Sequence, residues 1–174
     1  MEKKDLKPAG VFKYFEEICQ VPRPSKKEEK MIAYLKAFGA KHNLETKVDE
    51  AGNVLIKKPA TPGKENLQTV VLQSHIDMVC EKNNDVQHDF LTDPIETEID
   101  GEWLKAKGTT LGADNGIGVA TELAILADDS IEHGPLECLF TVDEETGLTG
   151  AFALQEGFMS GDILLNLDSE DEGE

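Results

Sequence analysis

A histidine and an aspartate two positions apart, His75 and Asp77, close the stretch TVVLQSHIDMV at residues 69–79. In extended backbone alternate side chains share a side, so one of the pair can ligate a cation while the other supports it from behind. A metal-binding histidine commonly has its second ring nitrogen held by a carboxylate or carbonyl, which sets the tautomer and raises the basicity of the ligating nitrogen. Alone, H-x-D is a weak signal, because a histidine at a strand end is more often simply packed or solvated. Three further segments place acids comparably. Asp114 stands in GADNGIG at the mouth of a helix, where it is either a ligand or a helix N-cap. Glu144 and Glu145 follow an apolar strand, and adjacent carboxylates repel unless a cation or a shared proton offsets the charge; a solvated acidic turn is the plain alternative. Asp168 follows ILLNL where that strand leaves the core, a place an ordinary turn residue also takes.

Imidazole and carboxylate donors without cysteine suit a catalytic Zn²⁺, Mn²⁺ or Co²⁺ centre rather than a structural one. Two such ions about 3.5–4 Å apart can share a carboxylate and a water, and a single zinc already lowers the pKa of bound water to ~7. A free glutamate nearby can accept the proton. Gly112, Gly116 and Gly118 do not follow the G-x-G-x-x-G order, no lysine follows to complete a P-loop, and there is no EF-hand loop.

The elements that must position these residues follow from periodicity. Val11, Phe12, Phe15, Ile18 and Cys19 lie at helical spacing over residues 9–19, and VPRP stops that helix. Ser25 with Glu28 reads as a capping box opening a second helix, whose stripe Met31, Ile32, Leu35 and Phe38 runs to about His42. LETKVDEAGNVLIKK reads as two strands around Gly52-Asn53, and IETEIDGEWLKAK as a hairpin with Asp100-Gly101 at its tip. A helix is expected from near Asn115, burying Ile117, Ala120, Leu123 and Ala124. LECLFTV (136–142) and DILLNL (162–167) read as strands around a short helix at Ala151–Gln155. Strands alternating with helices imply a wound α/β sheet, and in such sheets function collects beyond the carboxyl ends of strands. His75, the Glu144-Glu145 pair and Asp168 all fall there.

The 174 residues suit one domain, able to bury roughly 70% of the surface of its unfolded chain. Thirty-five acids against seventeen bases give a formal charge of −18, which opposes nucleic-acid binding and favours cations as partners. No apolar run approaches the ~18 residues of a membrane span, and MEKKDLKPAG is not a basic-then-apolar leader. Cys19, Cys80 and Cys138 are odd in number and far apart, so neither a disulfide framework nor a thiolate zinc site is suggested; a reducing cytoplasm is expected.

Taken together, HIDMVCEKN, DGEWLKAKGTTLGADNGIG, TVDEETGLTGA and LLNLDSEDEGE resemble the aminoacyl-histidine (Xaa-His) dipeptidases. These are a branch of the two-metal peptidases that also includes aminoacylases and glutamate carboxypeptidases. The likeness runs from about Val11 to Glu174, and the hairpin-plus-glycine segment belongs to the dipeptidase branch specifically. It implies a mixed sheet flanked by helices, two divalent metal ions with zinc foremost, and hydrolysis of dipeptides by a metal-activated water. His75 and Asp168 would hold one ion, Asp114 would bridge to the second, and Glu145 would bind that second ion. Asp77 would orient His75, and Glu144 would act as the general base. The resemblance also implies a cis peptide bond at Asp114-Asn115. Aminoacylase or carboxypeptidase activity of the wider family, or a non-catalytic acidic domain binding Ca²⁺ or a protein through NLDSEDEGE, are the alternatives.

The family's remaining ligand is a distal histidine beyond an inserted lid domain, and His42, His88 and His133, expected at the surface, lie in the wrong contexts to replace it. Residues 1–174 are therefore expected to be the N-terminal half of a catalytic domain, without its lid, and to form homo-oligomers through unpaired sheet surface. The purified chain should bind at most one divalent ion well and show little or no peptidase activity. Two tightly bound ions per chain by metal analysis, or efficient cleavage of a Xaa-His dipeptide, would contradict this.

Overall fold

The computed structural model describes residues 2–169. After a 3-10 turn at Lys3–Asp5 come helices α1 (Ala9–Cys19) and α2 (Glu29–Lys41), strands β1 (Glu45–Val48), β2 (Val54–Lys58) and β3 (Val70–His75), and a hairpin of β4 (Thr97–Asp100) and β5 (Trp103–Ala106). Helix α3 (Ala113–Ala127), β6 (Leu136–Thr141), α4 (Thr149–Ala153) and β7 (Ile163–Asn166) complete the chain. The main sheet has the order β1-β2-β6-β3-β7. Strands β6, β3 and β7 are parallel, while β1 and β2 add an antiparallel half. This is the expected α/β class, a mixed sheet with helices packed on it. No helix among the described residues is long and apolar enough to cross a membrane.

Period-two alternation divides the strands between two faces. Val54, Ile56, Leu72, Cys138 and Phe140 point into one core with Phe15 and Ile18 of α1, Met31 and Leu35 of α2, and Val119 and Leu123 of α3. Leu55, Val71 and Leu139 point to the opposite face, where Leu154, Phe158 and Met159 pack on them. The two edges differ. β1 exposes Glu45 and Lys47, charges that discourage further pairing, whereas β7 among the described residues pairs with β3 alone and exposes Ile163, Leu164 and Leu165. Phe152 in α4 is also open to solvent, at 81%.

Several expectations are corrected in detail. Ser25 and Glu28 do not form a capping box: Glu28 precedes α2 without a side-chain cap, and both side chains bond elsewhere. Ile117 does not pack in the core but stays 39% exposed, and Ala124 is half-buried, while Ala120 and Leu123 are buried as expected. Asp100 pairs with Trp103, so Gly101 and Glu102 form the hairpin tip. The short helix begins at Thr149, two residues before the expected Ala151. His42, His88 and His133 are half-buried at the surface; the His42 ring lies tilted over Phe38 and His88 meets Phe90 edge-on.

Glu122 was not foreseen in the core, yet it is fully buried on α3. Ser74 Oγ donates to its Oε1 at 2.6 Å, tying α3 to β3 one residue before His75. Burial drives its pKa well above the usual carboxylate range, against the opposing influence of Ser74 and Cys138. The folded protein therefore holds a proton here that the unfolded chain releases above its ordinary carboxylate pKa. Stability from this group is complete at acid pH and declines as pH rises.

Replacing Glu122 with Gln keeps an acceptor for Ser74 and removes the titration. Melting curves should show a gain for Glu122→Gln at pH 8 that vanishes near pH 4, each kcal/mol corresponding to about 2–4 °C for a chain of this size; an equal effect at both pH values would refute the assignment. Separately, the apolar β7 edge should drive association, seen in light scattering as a mass that rises with concentration and falls on Leu164→Lys. A concentration-independent monomer would count against it.

Candidate metal centre

Parallel pairing of β3 with β6 and β7 brings three strand ends together. His75 is the last residue of β3, Glu144 and Glu145 lie just past β6, and Asp168 lies just past β7. Asp114 arrives from the start of α3. Gly112 caps the helix in left-handed geometry at φ 66°, the non-helical dihedrals of Asp114 and Asn115 kink its first turn, and the Asp114 carboxylate faces His75. The Asp114-Asn115 peptide bond is cis, as the resemblance implied.

His75 is 1% exposed and sits at the centre. Its Nε2 lies 2.9 Å from Asp114 Oδ1, 3.7 Å from Asp168 Oδ2 and 3.9 Å from Glu144 Oε2. Its Nδ1 lies 3.3 Å from Asp77 Oδ1 on the other side of the ring. Burial alone would lower the imidazole pKa, but the hydrogen bonds to Asp77 and Asp114, with the charge of Asp168, raise it to about 9. Two donor trios have ligand atoms within 4.8 Å of one another at this centre: His75, Asp114 and Asp168, and His75, Glu144 and Glu145. The first is the set expected for one metal. In the second, Glu145 keeps company with Glu144 and His75, and Asp114 takes no part.

Asp77 does more than the sequence suggested. It is fully buried and accepts from Ser25 Oγ at 2.7 Å and from the backbone N–H groups of Glu144 at 3.0 Å and Glu145 at 3.2 Å, besides facing His75. Burial would raise its pKa, yet these donors hold it down at about 2. Glu144 and Glu145 shift the opposite way. Burial, then the surrounding carboxylates, raise both, with His75 opposing. Behind them Glu28 Oε1 accepts from the N–H groups of Lys26 and Asp143, fixing the loop that carries the glutamates. A third acidic trio, Glu28, Asp77 and Asp143, is buried. Each of the three carboxylates accepts hydrogen bonds from backbone or hydroxyl donors, so the trio reads as a scaffold, not a ligand set.

Asn115 was also missed. It is 2% exposed, and its Nδ2 donates to Asp168 Oδ1 at 2.7 Å and to the Leu167 carbonyl at 3.1 Å, so α3 orients the carboxylate that follows β7. Its side chain uses the space that a Cβ at Gly118 would fill, 1.9 Å from Asn115 Oδ1. Ile117 lines the mouth of the resulting cavity of about 540 Å³ with Asp114, Glu144, Glu145, Leu167 and Asp168. The acids of NLDSEDEGE beyond Ser169 lie outside the described residues.

The donors fit a divalent cation. They combine one buried imidazole, fixed from behind by a carboxylate, with hard oxygen donors converging on its free nitrogen, and contain no thiolate.

Comparison with known proteins agrees with this chemistry. Residues 71–170 match the model of peptidase family M20/M25/M40. The cytosol non-specific dipeptidase of Escherichia coli (strain K12) is 53% identical over 173 residues, which is 99% of this chain and 36% of that protein. The crystal structure of an aminoacylhistidine dipeptidase from Vibrio alginolyticus superposes with a TM-score of 0.96 at 56% identity, over 99% of this chain and 35% of that one. The aminopeptidase PepT from Bacillus cereus gives a TM-score of 0.78 at 26% identity, over 93% of this chain and 43% of that one. The chain thus spans about a third of the length of the dipeptidases it matches. With the strand ends that carry His75, the glutamate pair and Asp168 inside the matched region, the chain belongs to peptidase family M20/M25/M40.

Proposed function

We propose that this chain supplies the metal-holding core of a dipeptidase catalytic centre, cleaving short peptides that carry a free amino terminus. The remainder of that catalytic domain would come from sequence outside residues 1–174. The observation that carries the reading is the approach of Asp114, Asp168 and Glu144 to a single imidazole nitrogen whose ring is fixed by Asp77. His75, Asp114 and Asp168 would hold one divalent ion, and Asp114 with Glu145 a second, zinc being the foremost choice with Mn²⁺ or Co²⁺ as substitutes. A bound cation supplies Lewis-acid polarisation of the peptide carbonyl and acidification of water.

The chain's own residues do the rest. Glu144 has its proton affinity raised by burial and neighbouring charge, which suits a base working near neutral pH. In this reading Glu144 Oε2 takes the proton of the attacking water and returns it to the leaving amine. Asp77 touches no substrate. It holds the imidazole on one side and the backbone of the glutamate pair on the other, so donor and base keep their relative positions. The names of the relatives support dipeptides as the substrate class, and a histidine in the second position follows from the resemblance to the Xaa-His branch. Neither aminoacylase nor carboxypeptidase activity is favoured by those relatives.

Calorimetric titration with Mn²⁺ checks the ligands, with His75→Ala expected to bind at least ~100-fold more weakly than the wild-type chain. Glu144→Gln should bind nearly as well as wild type. In a full-length protein bearing this segment the same substitution should lower kcat on a dipeptide by about 10²–10⁴. Undiminished turnover in Glu144→Gln would remove it as the base, and a purely cation-binding acidic domain would show no turnover in any form.

A further inference from the structure

Arg23 lies in the VPRP connection between α1 and α2 and is only 2% exposed. A buried guanidinium ordinarily meets a carboxylate. This one instead hydrogen bonds to backbone carbonyls. Nη1 donates to the carbonyls of Ile76 and Asp77, both at 3.1 Å, and Nη2 donates to the carbonyl of Gly112 at 2.5 Å. The first two carbonyls follow His75 immediately, and the third lies two residues before Asp114. One planar fork therefore joins the exit of β3 to the entry of α3. The backbone beside it is pinned to the same segment by the bridge between Pro24 and Met78.

The glycine-rich segment matches no nucleotide motif, and Arg23 accounts for Gly116, while Gly112 is already asked for by its left-handed backbone at φ 66°. A Cβ added at Gly112 would stand 2.6 Å from Arg23 Nη2 and 2.8 Å from Met78 Sδ. One added at Gly116 would stand 2.7 Å from the same Nη2 and 3.2 Å from Phe15 Cε2. Gly116 has no positive φ, so its backbone would accept alanine, and the guanidinium is the nearest group the added methyl would meet. The first turn of α3 is thus shaped around a buried cation lying behind the candidate centre.

We propose that Arg23 is a positioning residue, its guanidinium setting the separation of His75 from Asp114, with Gly116 kept small to seat it. This rests on the reading of His75 and Asp114 as ligands of one ion. The fork geometry matters as well as the charge. A lysine ammonium is a single point on a flexible stem and does not reproduce a rigid fork across three carbonyls.

The test titrates the chain with Mn²⁺ and records melting curves without metal, for wild type, Arg23→Lys, Arg23→Met, Gly116→Ala and the double variant Arg23→Met/Gly116→Ala. Each single variant should weaken Mn²⁺ binding by about 10–100-fold, the range for supports behind metal ligands. The double variant should bind no more weakly than Arg23→Met, because the guanidinium that the methyl group added by Gly116→Ala would strike is gone. Folded Arg23→Lys and Gly116→Ala that bind Mn²⁺ as tightly as wild type, even with lowered melting temperatures, would reduce Arg23 to a structural part and overturn the proposal. Should Arg23→Met fail to fold, those two variants decide. A wild-type chain that binds no Mn²⁺ would instead overturn the metal reading beneath it.

Discussion

The arrangement turns on one carboxylate with no access to water. Removing the Asp77 charge from solvent is tolerable only if its oxygens are bonded throughout, since a buried unpaired charge costs several kcal/mol or more. Its partners come from three separate parts of the chain: the α1–α2 connection through Ser25, the end of β3 through His75, and the loop after β6 through the amides of Glu144 and Glu145. Burying this single group therefore requires all three to converge. The convergence fixes the imidazole plane and places the two glutamates beside it. The depressed pKa of Asp77, at about 2, is the electrostatic signature of that requirement.

The sheet makes such convergence possible. With β6, β3 and β7 parallel, their carboxyl ends share one edge, so Asp77 and Glu144, 67 positions apart, become neighbours without any long loop reaching across. The helices α1, α2 and α3 contribute to one core on the same face of the sheet. From that side α3 presents Asp114 and Asn115 at the mouth of the centre, and Ser74 with Glu122 ties its middle back to β3. Lys58 donates to the carbonyls of Ile125 and Asp128, satisfying the other end of α3. Both ends and the middle of that helix are thus held by polar contacts to other elements.

Much of this was legible in the sequence because it is local. Periodicity located α1 over the residues it occupies, and the change from apolar to ionisable side chains at three strand ends singled out His75, Glu144, Glu145 and Asp168. What misled was also local. Ser25 and Glu28 have capping-box spacing, but the pattern does not reveal that Asp77 and the Asp143 amide, 52 and 115 residues away, compete for those side chains. Ile117 sits on the apolar period of α3, yet the first turn of that helix borders the cavity rather than the core. Arg23 and Asn115 left no signal, since their partners include backbone carbonyls, which look alike in any sequence. Glu122 broke the rule that acids stay outside, and only the fold shows Ser74 and Cys138 around it.

The distribution of positive charge leaves the centre crowded with acids that no lysine or arginine neutralises. Among the described residues, lysines form ion pairs with acids such as Glu16, Glu17, Asp129 and Glu137, but no lysine or arginine is ion-paired with Asp77, Asp114, Glu144, Glu145 or Asp168. Among those residues, the ion pairs of Asp77, Asp114, Glu144 and Asp168 are all with His75. Arg23 comes near enough for its charge to be felt by Asp77 and Asp114, yet its Nη1 and Nη2 hydrogen bonds run to carbonyls and not to those carboxylates. A chain with 35 acids and 17 bases could have spread its few cations to quiet this cluster, and stability alone would favour that. Keeping them elsewhere leaves mutual repulsion among the acids, which adds to burial in raising the proton affinity of Glu144 and Glu145. A divalent ion would relieve the same repulsion. The crowding of like charge at the strand ends and the affinity expected there for metal are two aspects of one electrostatic choice.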